Sequence, residues 1–257
     1  MTVITVAGKG GSGKTLVSAF LIHFISEKNS RVLAVDADPD SNLPDALGVS
    51  DEVFRTLGDV RELFQVSRDD MGTLNKEQWI EGKIYGEAIC ECENYDLLVM
   101  GRPEGEGCYC YANSLLRGVL RKLLRHYDYI IVDSEAGLEH FSRKTIDTAD
   151  YVIIVTDTSK KALSTAKRIK ELLAELKMNP TLFLIANKVF SEEGEMKIRE
   201  FAKNEGIKIL SVLPYDEEIV KLDLEGYPVT SLANSSPVFK KMREVAGFFL
   251  SIKATTT

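Results

Sequence analysis

The stretch Val3-Ile4-Thr5-Val6-Ala7-Gly8-Lys9-Gly10-Gly11-Ser12-Gly13-Lys14-Thr15 decides the fold. Its first five residues are apolar or β-branched and read as a buried strand. Gly8 to Thr15 fits an eight-residue phosphate-binding loop, with glycine at its first and sixth positions and Lys-Thr at its end. The glycines let the backbone fold tightly with positive φ, so that several N–H groups face one anion. Leu16 to Ser26 reads as the helix whose N-terminus points at that anion. In such a loop Lys14 neutralises the β- and γ-phosphates of a nucleotide, and the Thr15 hydroxyl sits on Mg²⁺.

Lysine at the second position, Lys9, makes this loop resemble that of the deviant Walker ATPases. That group includes the nitrogenase iron protein, the septum-site protein MinD, arsenite-pump ATPases and the CooC nickel-insertion proteins. The resemblance implies that Lys9 reaches across a homodimer to the partner subunit's bound ATP. Leu16 departs from the pattern: many members carry a second Thr there that helps hold the α-phosphate, and here only the Leu16 backbone N–H is left to do so.

Composition narrows the setting. At 257 residues the chain is one large domain or two small ones, and no Pro/Ser/Gly-rich linker divides it, so a single domain over 1–257 is expected. An apolar fraction of 44% is ample for a packed core. The net charge of −7 argues against binding nucleic acid through a basic surface. No uninterrupted apolar run is long enough to span a bilayer. The first strand begins at once, leaving no room for a signal peptide, so the expected location is cytoplasmic. Thiols stay reduced there, and the four cysteines read as ligands or buried thiols rather than disulfides.

Arg31 to Asp36 reads as the second strand and runs into Ala37-Asp38-Pro39-Asp40-Ser41-Asn42. Three carboxylates within five residues cannot all lie unpaired in a core, but they suit the ligand-binding rim of a parallel sheet. The plain alternative is a polar loop in which Asp40 or Ser41 caps a helix. The resemblance implies that Asp38 orients the attacking water and that Asp36 belongs to the magnesium surroundings. Residues 44–95 are the least legible; Val53–Phe64 and Lys76–Cys90 suggest helices on one edge of the sheet. Asp96 to Met100 is a third strand, and Tyr127 to Asp133 a fourth. Asp133, at that strand's end, matches the carboxylate that holds a magnesium-bound water. The following Ser134 to His140 looks like a switch loop in which Gly137 gives freedom to move; His140 reads as a helix-start residue rather than a ligand.

Further strands are expected at Tyr151–Thr156, Thr181–Asn187 and Ile207–Leu213, with helices at Lys160–Leu176 and Pro237–Ile252. Strands alternating with helices predict an α/β fold: a mainly parallel, twisted sheet with helices on both faces; the resemblance implies that it is of the MinD-like P-loop NTPase class. The resemblance assigns the adenine base to Asn187 and to the segment beginning at Pro214.

The cysteines fall into two pairs. Cys108-Tyr109-Cys110 follows a glycine-rich turn, and in an extended segment both sulfurs share one side. Two thiolates complete half of a four-coordinate site, and a two-fold dimer axis supplies the other half. The segment Cys108-Tyr109-Cys110-Tyr111-Ala112-Asn113-Ser114 looks like one in CooC proteins. That resemblance covers residues 3 to about 250, most loosely 50–95. The second pair, Cys90-Glu91-Cys92, follows residues that look helical; on a helix the sulfurs point apart, and a metal role for this pair is the lesser expectation.

The resemblance implies an ATP-hydrolysing metallochaperone, a homodimer that closes around two Mg·ATP, traps Ni²⁺ or Zn²⁺ between the Cys108/Cys110 pairs and yields it to a nickel enzyme such as carbon monoxide dehydrogenase or acetyl-CoA synthase. Two alternatives stay open: a MinD-like positioning switch working with a membrane, and an iron–sulfur carrier like the nitrogenase iron protein. Membrane contact through the last helix is the lesser expectation; its apolar residues read as packing.

Overall fold

The computed structural model describes residues 1–50, 54–66, 75–101, 121–135 and 149–256. Cys108, Cys110, Gly137 and His140 lie outside the described residues. Eight strands, β1 (Thr2–Gly8), β2 (Val32–Ala37), β3 (Ile89–Glu91), β4 (Asp96–Val99), β5 (Tyr129–Ser134), β6 (Tyr151–Thr156), β7 (Thr181–Val189) and β8 (Lys208–Pro214), form one sheet in the order β3-β4-β2-β5-β1-β6-β7-β8. Every neighbouring pair is parallel except β3 with β4. The helices that lie wholly among the described residues include α1 (Lys14–Ser26), α2 (Leu43–Leu47), α3 (Leu57–Val66), α4 (Lys76–Lys83), α5 (Lys160–Glu175), α6 (Glu192–Glu205), α7 (Glu217–Glu225) and α8 (Pro237–Thr256).

Alternation along β1 divides the core. Ile4 and Val6 face α1 and α8 on one side of the sheet. Val3 faces α3 and α4 on the other side, and Ala7 faces α5 and α6. Helices thus cover both faces, as the near-continuous apolar strands require. α1 is apolar on nearly all sides because it is enclosed between the sheet and α8. Phe24 meets Phe239 of α8 edge-on at 4.9 Å between ring centres, and the Arg243 guanidinium lies 4.9 Å from the Phe239 ring centre. The last helix is therefore packed through Phe239, Met242, Val245 and Phe249.

The sequence reading departs from the structure mainly in two regions. Lys76–Cys90 is not one helix. α4 ends at Lys83, a wide π turn follows over Ile84–Ala88, and Ile89–Glu91 is an edge strand. Pairing with β4, which sets Cys90 opposite Leu97, overrides the local helical preference. α6 and α7 were not anticipated either. Both carry start signals: Ser191 Oγ accepts the Gly194 N–H at 3.2 Å, and Asp216 Oδ1 accepts the Glu218 N–H at 3.0 Å.

Candidate functional site

Parallel strands end together, and the residues of interest collect at their C-terminal ends. Asp36 of β2 stands in register with Asp133 of β5, and Asp133 with Val6 of β1. Two residues beyond Val6 the chain enters the Gly8–Thr15 loop. Only glycine fits at two of its positions. A Cβ on Gly8 would stand 2.3 Å from the Val155 carbonyl oxygen, and one on Gly13 2.1 Å from Asn187 Nδ2. Gly13 also has φ +94°, a left-handed conformation that side chains resist. The Ser12 N–H donates to the Lys9 carbonyl at 3.1 Å and closes the loop.

The start of α1 is arranged for an anion. No side chain caps its first turn and no acidic residue lies there, so its leading N–H groups remain to be satisfied from outside the helix. The Ser12 hydroxyl is buried and has no partner among the described residues. Lys14, at 7% exposure, brings its positive charge to the same spot. Leu16 is buried in the core, which leaves its N–H as its only polar contribution near the loop. Lys9 is half-buried beside the exposed Gly10 and Gly11.

Asp133 is almost fully buried and takes two hydroxyls: Thr15 Oγ1 donates to Oδ2 at 2.7 Å, and Ser18 Oγ donates to Oδ1 at 3.0 Å. Sequence reasoning found Thr15 and missed Ser18. The signal was spacing, since residues three apart on a helix share a face. Asp36 accepts the Leu43 N–H at 2.9 Å and the Asp38 N–H at 3.0 Å. Burial, then repulsion from Asp133, raises the Asp36 carboxyl to about 7. Burial raises Asp133 to about 6, against the pull of Thr15, Ser18 and Lys14. Two desolvated carboxyls side by side, with the Thr15 hydroxyl between one of them and the loop, suit a hard divalent cation with oxygen ligands, as Mg²⁺ is.

A pH dependence follows. Both carboxyls hold protons in the folded protein at pH values where the unfolded chain, titrating near 3.8, has lost them. The folded state then binds more protons, so stability conferred by this pair falls as pH rises from about 4 to about 7. The Tm of the metal-free protein should drop over that range, and Asp36→Asn should flatten the drop. Added Mg²⁺ with nucleotide should raise Tm more at pH 7.5 than at pH 5. An unchanged slope in Asp36→Asn, measured by thermal unfolding across pH, would remove Asp36 as the cause.

Asp38 is half-buried at the head of the strand-to-helix turn, where Oδ1 accepts the Asp40 N–H at 3.1 Å. Asp40 itself is exposed. On the far side of the loop, Asn187 Nδ2 donates to the Ser12 carbonyl at 2.9 Å, and its Oδ1 accepts the Lys188 N–H at 2.9 Å. Lys188 Nζ donates to the Gly11 carbonyl at 3.0 Å. The Asn187-Lys188 dipeptide thus fastens the loop to β7, and Lys188 is a second residue that the sequence reading passed over. Pro214 pairs with Val189, and beyond it the exposed Tyr215 ring stacks on Phe190 at 4.4 Å. Loop, carboxylates, Asn187 and Pro214 therefore share one end of the sheet. Cys90 and Cys92 do not point apart as a helix would have them: their sulfurs are 3.9 Å from each other.

Comparison with known proteins places the chain in a nucleotide-binding family. Residues 3–229 match the family model described as the CobQ/CobB/MinD/ParA nucleotide binding domain. The chain is 46% identical over 248 residues to an uncharacterized ATP-binding protein of Methanocaldococcus jannaschii, covering 95% of this chain and 96% of that one. It is 33% identical to the carbon monoxide dehydrogenase accessory protein CooC of Rhodospirillum rubrum, over 87% of each chain. Its fold is that of the septum site-determining protein MinD complexed with Mg-ADP from Pyrococcus horikoshii, with a TM-score of 0.74 at 24% identity, covering 100% of this chain and 98% of that one.

Proposed function

Because the chain belongs to the CobQ/CobB/MinD/ParA family of nucleotide-binding domains, and is an ATPase of the MinD/ParA type, we propose that it works as a homodimeric metallochaperone. It closes around two molecules of ATP, carries Ni²⁺ (or Zn²⁺) between subunits on Cys108 and Cys110, and delivers the metal to carbon monoxide dehydrogenase or acetyl-CoA synthase. The observation that carries this reading is the Cys108-Tyr109-Cys110 segment in a chain 33% identical to CooC.

The residues divide the work of hydrolysis. Lys14 and the N–H groups of Gly8–Leu16 bind the phosphates and hold positive potential where charge builds on the leaving β-phosphate. Asp36, Asp133 and Thr15 would hold Mg²⁺, which when bound would neutralise phosphate charge. Asp38 orients the attacking water and accepts its proton. Lys9 extends to the partner subunit's nucleotide and makes turnover depend on the dimer. Asn187 and Pro214 meet adenine, and the bond from Asn187 to Ser12 couples base recognition to the phosphate loop.

Titration of the reduced protein with Ni²⁺ or Zn²⁺, in a Cys90→Ser/Cys92→Ser background and with mass followed by light scattering, tests the shared site. One metal per dimer is expected, with dimerisation promoted by metal because the site exists only between subunits. Cys108→Ser or Cys110→Ser should lose the metal and keep ATP binding. One metal per monomer with no change in mass overturns the reading.

The likeness of fold to MinD supports a second reading, a positioning switch at a membrane. Such a switch needs a basic amphipathic tail. Of the basic residues in α8, Arg243 is engaged over the Phe24 and Phe239 rings. No helix among the described residues is long and apolar enough to cross a membrane. ATP-dependent co-sedimentation with anionic vesicles would favour the switch.

A further inference from the structure

Cys90 and Cys92 lie away from the nucleotide site, at the β3 edge of the sheet. Cys90 sits within β3, opposite Leu97 of β4. Cys92 is the first residue after the strand, and its N–H donates to the Tyr95 carbonyl at 2.9 Å, closing the turn into β4. Extended backbone sends residues two apart to the same side, and the two sulfurs come to 3.9 Å. Two sulfurs at a Zn–S length of about 2.3 Å on a tetrahedral ion stand roughly 3.8 Å apart. The pair is thus already spaced as one edge of a tetrahedral thiolate site.

Its surroundings favour a ligand role. The Tyr95 hydroxyl lies near enough to the Cys92 sulfur to interact with it. A donor of this kind orients a thiolate ligand and tempers its charge. Cys90 is buried and Cys92 half-buried, so an ion reaches the pair from the Cys92 side. Among the described residues no third His, Cys, Asp or Glu side chain completes a metal-holding group there, so the protein itself would supply two ligands only.

We propose that Cys90 and Cys92 form a separate thiophilic-metal site, in which both thiolates of one subunit bind a Zn²⁺ or Cu⁺ ion whose remaining positions are open to an exogenous ligand. Binding forms two metal–sulfur bonds and releases the two thiol protons to solvent. The competing chemistry is a disulfide, made by exchange with an external disulfide that leaves as two thiols. A coordinating metal displaces the thiol proton directly.

The test uses the full chain carrying Cys108→Ser and Cys110→Ser, reduced and free of oxygen. Zn²⁺ is titrated against a chromophoric chelator, and Co²⁺ is added for its thiolate-to-metal absorption. One ion per subunit and a cobalt–thiolate band are expected. Adding Cys92→Ser, a half-buried position that spares the core, should abolish both while ATP binding persists. Tyr95→Phe should weaken Zn²⁺ binding by about tenfold. Absence of the cobalt–thiolate band overturns the proposal. So does loss of two free thiols to oxidised glutathione without metal uptake, which marks the pair as a disulfide. Because Cys108 and Cys110 are absent from this variant, failure here leaves the shared dimer site untouched, and failure of that site leaves this one standing.

Discussion

Lys14→Ala should abolish ATP turnover, lowering kcat/KM by about 10³-fold or more, equivalent to about 4 kcal/mol of transition-state stabilisation. The side chain is 7% exposed, so water cannot replace the cation that is removed. It stands at the start of a helix whose first turn has neither a cap nor an acidic neighbour, in a site that otherwise holds two carboxylates. Without Lys14, phosphate charge faces Asp133 with less compensation, and ATP affinity should fall as well. Phosphate release and binding of a fluorescent ATP analogue measure the two effects. Turnover within about tenfold of wild type would refute the assignment of the loop. Lys9→Ala is the informative contrast: it should bind ATP and lose hydrolysis together with ATP-driven dimerisation, because its proposed target lies in the other subunit.

Asp38→Asn should bind Mg·ATP and hydrolyse it about 10²- to 10⁴-fold more slowly, the range a positioned general base contributes. The turn should survive the change, because the asparagine oxygen can still accept the Asp40 N–H that Oδ1 takes now. What is lost is the capacity to take a proton from water. Slow hydrolysis with intact binding should trap the closed dimer, visible by light scattering in the presence of ATP. Asp40→Asn, at an exposed position, should be nearly silent. The reverse pattern, with Asp40 essential and Asp38 dispensable, would move the base by two residues.

The phosphate loop was legible because its chemistry leaves few choices. Glycine is required where a Cβ would strike Val155 or Asn187, and lysine and threonine are required by the ligand. The buried strands were legible for a similar reason, since a parallel sheet covered on both faces admits only continuous apolar runs. Ser18 was harder to see, because its only signal is the three-residue spacing from Thr15, and nothing local points to the carboxylate it serves 115 residues away. Lys188 was hidden for the opposite reason: a lysine after a strand reads as a solvated residue, and only the fold brings Gly11 within its reach. The Ile84–Glu91 segment misled because its residues suit a helix, and the strand there is imposed by β4. Sequence spacing alone therefore sent two sulfurs apart that the sheet edge brings together.

The enclosure of α1 between the sheet and α8 has a consequence for hydrogen exchange. Amides deep in α1 have no local opening that exposes them, because both flanks of the helix are core. They should exchange only through global unfolding, and nucleotide should slow them by no more than it stabilises the whole domain. The turn from Ala37 to Asn42 is different, being half-buried or exposed and held by few bonds. Its amides should exchange by local opening in the free protein, and ATP should protect them well beyond the global gain. The phosphate loop would then be a fixed anvil rooted in the slowest-exchanging helix, and the Asp38 turn the part that closes on it.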